Sequence, residues 1–206
     1  MFRLRTLAIL VLAVFAAACS PDNSHQGVVF NRGNGFEPKS LDPAYIDAMW
    51  EANIVGDMLI GLTTEDPAGK PIPGAATNWD VSPDGLTWTF HLRDHLWSDG
   101  TSVTSHDFAY AWRRLLNPKS ASQYAYNMWI VKNAHAISDG KLPPSALGIE
   151  TPDDKTLVVH LEHPASYLPE LLDHHTAYPV PQHVVEKYGN AWALPGKYVS
   201  NGAYIV

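Results

Sequence analysis

The sequence predicts an α/β fold, and three stretches predict it. In residues 86–93, apolar Leu86, Trp88, Phe90 and Leu92 alternate with Thr87, Thr89, His91 and Arg93, the period of a strand with one buried face. Phe108, Ala111, Trp112, Leu115 and Leu116 instead recur at helical spacing, as an apolar stripe does when a helix lies on a core. Residues 156–161 return to a strand-like run after the turn-forming Asp153-Asp154-Lys155.

Bulk properties agree with a globular chain. Of 206 residues, 46% are hydrophobic and 17% charged, unlike a disordered sequence. Seven Trp and nine Tyr supply large contact areas for core or binding surfaces. Fourteen Lys and Arg stand against 21 Asp and Glu, a net charge of −7. No basic patch interrupts this acidity, which argues against a nucleic-acid partner.

Taken in order, the chain opens with Arg3 and Arg5, then 12 uninterrupted apolar residues at 7–18. That run falls short of the roughly 20 residues needed to cross a bilayer, but it suits the core of an export signal. It ends in Ala16-Ala17-Ala18-Cys19-Ser20. These residues resemble a bacterial lipoprotein signal, which implies cleavage before Cys19 and acylation of its thiol; that pattern prefers Leu where Ala16 stands. The competing reading is an ordinary signal peptide cleaved after small residues. Cys19 is the only cysteine, so with its thiol acylated the exported chain holds no disulfide and depends on its core. Residues 20–26, SPDNSHQ, read as a polar tether.

Residues 27–31 form a short strand-like run, followed by turn formers through Pro43. Trp50, Ile54, Val55, Met58 and Leu59 predict a helix over 47–60 with Gly61 as its stop. The Pro- and Gly-rich residues 66–74 read as a connector, and Pro83-Asp84-Gly85 as a turn. Asp99-Gly100 marks another turn, and Thr104 with Asp107 forms a capping box for the helix that stops before Pro118. A helical stretch is expected at 166–172 and a second short helix at 182–188. Residues 201–206 read as a fresh strand cut in mid-pattern, so the sequence is expected to be truncated at its C-terminus.

Several chemical constellations fail on geometry. Ser105-His106-Asp107 carries the residue types of a hydrolase triad, but contiguous side chains at a helix start fan out at about 100° intervals and cannot converge. The ten histidines offer the close pairs His91/His95, His160/His163 and His174/His175, with no helical metal-ligand spacing and no paired cysteines. No phosphate-binding glycine loop or nucleophile elbow occurs. The expectation is therefore no catalytic residue, no metal and no cofactor. Trp88, Phe90, Phe108 and Trp112 read as core, and Trp97 as packing. Tyr124, Tyr126 and Trp129 lie in a less periodic segment, open to either a core or a ligand-facing role.

Residues 61–125, GLTTEDPAGKPIPGAATNWDVSPDGLTWTFHLRDHLWSDGTSVTSHDFAYAWRRLLNPKSASQYA, resemble the solute-binding proteins of oligopeptide ABC transporters (extracellular solute-binding family 5). So do SLDP at 40–43, DDKTLVVHLEHP at 153–164, YPVPQHVVEKYGNAW at 178–192 and SNGAY at 200–204. The resemblance covers the chain beyond its leader, in order. It implies a periplasmic-binding-protein-like bilobal fold of type II that closes about its ligand by a hinge. It implies a signal at 1–18, a tether at 19–26, the first part of lobe I at 27–60, a small inserted α/β domain at 61–183 and a return to lobe I at 184–206, with the second lobe missing.

The implied function is an extracytoplasmic lipoprotein, not an enzyme, that captures oligopeptides and delivers them to an ABC permease. It would be a monomer on the periplasmic side of the cell envelope, held to the membrane only through Cys19. A receptor indifferent to side chains must grip the constant groups of a peptide, pairing its amides and setting a carboxylate against its ammonium. By resemblance the carboxylate falls at Asp47, where the family usually has Glu. A main-chain contact falls at Met49, and the ligand-facing tyrosine at Tyr124. Asp47 also reads as an acid favoured by a helix N-terminus. The same fold with murein peptide, dipeptide, haem or a metal chelate is an alternative, as are a surface metallohydrolase and a truncated fragment that binds nothing.

Overall fold

The computed structural model describes residues 33–205. The signal run, Cys19, the tether and the strand expected at 27–31 lie outside the described residues. In chain order the elements are α1 (Met49–Met58), β1 (Thr63–Glu65), β2 (Pro71–Pro73), β3 (Ala76–Val81), β4 (Thr87–Leu92), α2 (Ser105–Leu116), α3 (Ala134–Ser138), β5 (Ile149–Asp153), β6 (Thr156–His160), α4 (Leu168–Leu171) and α5 (Gln182–Tyr188), joined by short 3₁₀ turns.

The alternation at 86–93 becomes β4, near the middle of a four-stranded antiparallel sheet ordered β3-β4-β6-β5. Trp88 pairs with Val159 and Phe90 with Leu157 across β4 and β6. All four are buried, so one sheet face carries a continuous apolar surface. Helix α2 contacts β5 and β6 and buries the whole predicted stripe, Phe108, Ala111, Trp112, Leu115 and Leu116. Each such large side chain contributes roughly 1.5–3 kcal/mol on burial. The capping box at Thr104 and Asp107 forms as expected. Asp107 also accepts the indole N–H of Trp97 at 3.4 Å and the amide of Gln182 at 3.3 Å, which ties the start of α5 to that of α2.

Four expectations need correction. Helix α1 begins at Met49 and ends at Met58, because Leu59 is already extended. Gly61 is therefore no helix stop; a Cβ there would meet the Leu172 carbonyl oxygen at 2.8 Å and the Tyr178 ring at 3.0 Å, so close packing excludes a side chain. Residues 66–74 are not a bare connector. The Asp66 carboxylate accepts the amides of Ala68 and Lys70, closing a hairpin in which Pro71–Pro73 pairs with Thr63–Glu65. The prolines are tolerated because β2 is an edge of a two-stranded sheet.

The helix expected at 166–172 shrinks to the single turn α4. Finally, no strand forms at 201–205. The Asn201 side chain accepts the Ile60 amide at 3.0 Å and donates to the Ile60 carbonyl at 3.1 Å, and Gly202 N–H donates to the Met58 carbonyl at 2.8 Å. The sequence pattern there records a close approach to the end of α1, not sheet pairing.

A buried polar knot joins segments distant in sequence. Asp42 is 1% exposed and accepts two bonds from the Arg114 guanidinium, at 2.8 and 2.6 Å. It also accepts the indole N–H of Trp192 at 2.7 Å. Bidentate pairing suits a planar guanidinium and fixes its orientation. The knot fastens the 40–43 segment to α2 and to the 3₁₀ turn before Leu194, and so sets the base from which residues 44–48 project.

Candidate functional site

Residues 39–47 are held in place by Glu51, a fully buried acid in the first turn of α1. Its carboxylate accepts the Lys39 amide at 2.7 Å and the Asp47 amide at 3.1 Å. A buried carboxylate with backbone donors on both oxygens fixes the loop that feeds the helix. Asp47 lies two residues before Met49, and Ala48, not Asp47, is the N-cap residue.

The Asp47 side chain is 28% exposed. Its Oδ2 accepts from Gln123 Nε2 at 2.9 Å, and Lys39 Nζ stands 3.8 Å from its Oδ1. Lys39 is mostly solvated, so that pair contributes little. The Tyr124 hydroxyl reaches the Asp47 carbonyl at 3.5 Å. The structure thus brings Asp47, Met49 and Tyr124, far apart in sequence, to one cleft of about 230 Å³. Met49 is 74% exposed there, a large apolar side chain at the edge of a concave surface.

Two residues that sequence reasoning set aside complete this wall: His174 and His175 line the cleft as well. Their rings lie 3.9 Å apart, and Tyr124 sits 5.8 Å from each, edge-on to His175. The Thr176 amide and Asn127 Nδ2 both point donors at His174 Nδ1, at 3.3 Å each. That nitrogen must carry a lone pair, so the neutral ring bears its proton on Nε2. Burial lowers the pKa of His174. Burial, followed by the neighbouring His174, pushes His175 down to about 3, so both rings are neutral at pH 7. The available signal was a His-His pair beside a charged Asp173 and between apolar runs; polar rings in such a place are worth explaining.

Tyr126 and Trp129 do not join them. They line a different hollow against Leu115, Leu116 and Ala121, and Trp129 stacks on His135 at 4.0 Å. The Ser105-His106-Asp107 trio disperses as the helix geometry requires. Ser105 donates to the Asp153 carbonyl, His106 approaches Asp154 at 3.4 Å, and Asp107 caps α2. Among the described residues no group of three or more His, Cys, Asp or Glu is placed to hold a metal ion, and no helix is long and apolar enough to cross a membrane.

Residues 70–206 match the model of the bacterial extracellular solute-binding proteins, family 5 middle region. The chain is 48% identical over 182 residues to the periplasmic oligopeptide-binding protein OppA of Haemophilus influenzae, covering 87% of this chain and 33% of that protein. It is 40% identical over 173 residues to the periplasmic murein peptide-binding protein MppA of Escherichia coli, covering 82% of this chain and 32% of that one. The crystal structure of Haemophilus influenzae OppA in complex with RPPGFSPFR superposes with a TM-score of 0.81 at 48% identity, covering 83% of this chain and 34% of that chain. The unliganded open form of the murein tripeptide-binding protein gives 0.79 at 40% identity, covering 82% and 33%. The chain thus spans about a third of the length of the relatives it matches.

Proposed function

We propose, from the premise that this chain belongs to the bacterial extracellular solute-binding proteins of family 5, that it forms the first part of a receptor that captures oligopeptides outside the cytoplasm and hands them to an ABC permease. The observation that carries the reading is the convergence of Asp47, Met49 and Tyr124 on one cleft with His174 and His175. Asp47 offers a carboxylate for a peptide ammonium, and Met49, 74% exposed at the start of α1, stands at the edge where a main-chain contact would fall. Tyr124 supplies a rigid aromatic wall.

In this reading the receptor is monomeric, is no enzyme and needs no cofactor. It is exported by residues 1–18 and tethered to the periplasmic side of the envelope through an acylated Cys19. The segments 27–60 and 184–206 belong to lobe I, and 61–183 to a small domain inserted between them. Peptide affinity would come from hinge closure of the complete protein, since closure both sequesters the ligand and marks the loaded state for the permease.

Calorimetry on the purified full-length protein with tri- to pentapeptides tests this. We expect saturable binding that Asp47→Ala weakens by about 1.5–3 kcal/mol, the scale of a hydrogen bond to a charged group. Binding of murein tripeptide with no response to ordinary peptides would overturn the oligopeptide assignment, and an unchanged dissociation constant in the variant would remove Asp47 from the site.

A further inference from the structure

The sequence holds two Asn-Gly pairs, Asn34-Gly35 and Asn201-Gly202, and three Asp-Gly pairs, at 84–85, 99–100 and 139–140. Each carries a latent reaction. The glycine nitrogen can reach the preceding side-chain carbonyl carbon and close a ring, and no Cβ obstructs its approach. Whether the ring closes depends on how firmly the fold holds the two groups.

Four of the five glycine amides are held. Gly85 donates to the Ser82 carbonyl at 2.8 Å, Gly100 to Trp97 at 2.9 Å, Gly140 to Ile137 at 2.9 Å and Gly202 to Met58 at 2.8 Å. Asn201 is held at its side chain as well: it is 7% exposed, accepts the Ile60 amide and donates to the Ile60 carbonyl. The Gly35 N–H, by contrast, has no acceptor among the described residues. Asn34 makes one long side-chain bond, from Nδ2 to the Phe36 carbonyl at 3.4 Å, which leans its carboxamide forward along the chain toward Gly35. The Phe36 amide donates to the Asn34 main-chain carbonyl at 3.2 Å, closing a tight turn around Gly35. Gly35 is exposed, with φ +86°, and a Cβ there would meet nothing within 4 Å. The ring therefore has room to close at this pair.

We propose that Asn34 is a site of spontaneous backbone modification in the folded protein. The Gly35 nitrogen gives up its proton to solvent hydroxide and attacks Asn34 Cγ; the new N–Cγ bond forms, and the side-chain nitrogen takes a proton from water and leaves as ammonia. Water then opens the resulting succinimide at either carbonyl, leaving aspartate or isoaspartate at position 34, with nothing oxidised or reduced. A neutral carboxamide becomes a carboxylate. The isoaspartate form also lengthens the main chain by one carbon just before Phe36, whose ring packs on Trp50 at 5.1 Å in the first turn of α1. The reaction is independent of what the protein binds.

Peptide mapping by mass spectrometry tests this on the full-length protein, held in warm, mildly alkaline buffer either folded or in urea. In the folded protein the peptide containing residue 34 should convert to the acid about tenfold faster than the one containing residue 201, the factor expected when ring closure must first break structural hydrogen bonds. In urea the two should convert at similar rates, because both are Asn-Gly pairs. Isoaspartate should appear at position 34, and Asn34→Gln should remove that signal while leaving the residue 201 peptide unchanged. Equal rates in the folded protein would overturn the proposal, as would aspartate without isoaspartate, which marks direct hydrolysis instead of ring closure. A contrast between the two sites that persists in urea would belong to their sequence neighbours and overturn the role given to the fold.

Discussion

At the residue scale, His175 shows how burial converts an ordinary side chain into a stability determinant. Unfolded, its imidazole takes a proton near pH 6.5; folded, burial and the neighbouring His174 hold it neutral down to about 3. Between those values the unfolded chain binds more protons, so stability is full above the unfolded value and is lost as pH falls toward the folded one. His174 and His95 are lowered chiefly by burial and act in the same direction. Acids held below their usual range, such as Asp84, Asp139 and Asp153, respond only at lower pH. Urea unfolding below pH 6.5 but above the carboxylate range should therefore show a slope that His175→Gln flattens. Parallel slopes in the two proteins would mean that this ring is as solvated folded as unfolded.

At the element scale, the site depends on two buried acids that lie outside the cleft. Glu51 fixes the backbone of Lys39 and Asp47, and Asp42 locks the preceding segment to Arg114 and Trp192. Removing one side of a buried pair leaves an uncompensated charge, at a cost of about 3–5 kcal/mol. Asp42→Ala should lower the unfolding free energy by that amount in a urea titration. A loss below about 1 kcal/mol would show that Arg114, whose side chain is 13% exposed, reaches water once its partner is gone.

These contacts also mark what the sequence could disclose. Strand β4, the capped helix α2 and helix α5 were readable because their determinants lie within one or two turns of chain: alternation, a capping box, and Pro181 before an apolar-periodic run. The Asp42 knot spans 72 residues to Arg114 and 150 to Trp192, and no local pattern encodes such distances. The hairpin at β1 and β2 was hidden for a different reason. Pro71 and Pro73 oppose a strand assignment by propensity, and only the edge position makes them acceptable.

At the scale of the whole molecule, local order serves a surface that no single element forms. Asp47 precedes α1, Tyr124 follows α2, and the histidines follow α4. The fold brings Asp47, Met49 and Tyr124, the residues named by resemblance, to one cleft, and their peptide-binding role is part of the proposed reading. His174 and His175 show no such signal in the sequence beyond a His-His pair; burial keeps both rings neutral, and the fold sets them beside Tyr124.

In the proposed reading a peptide seats against this wall. Hydrogen–deuterium exchange of the full-length protein, with and without a saturating tetrapeptide, tests it most directly. Exchange should slow in residues 45–52, 122–128 and 172–178, where bound main chain and closure shield the amides. Saturable peptide binding that leaves all three segments unchanged would contradict it.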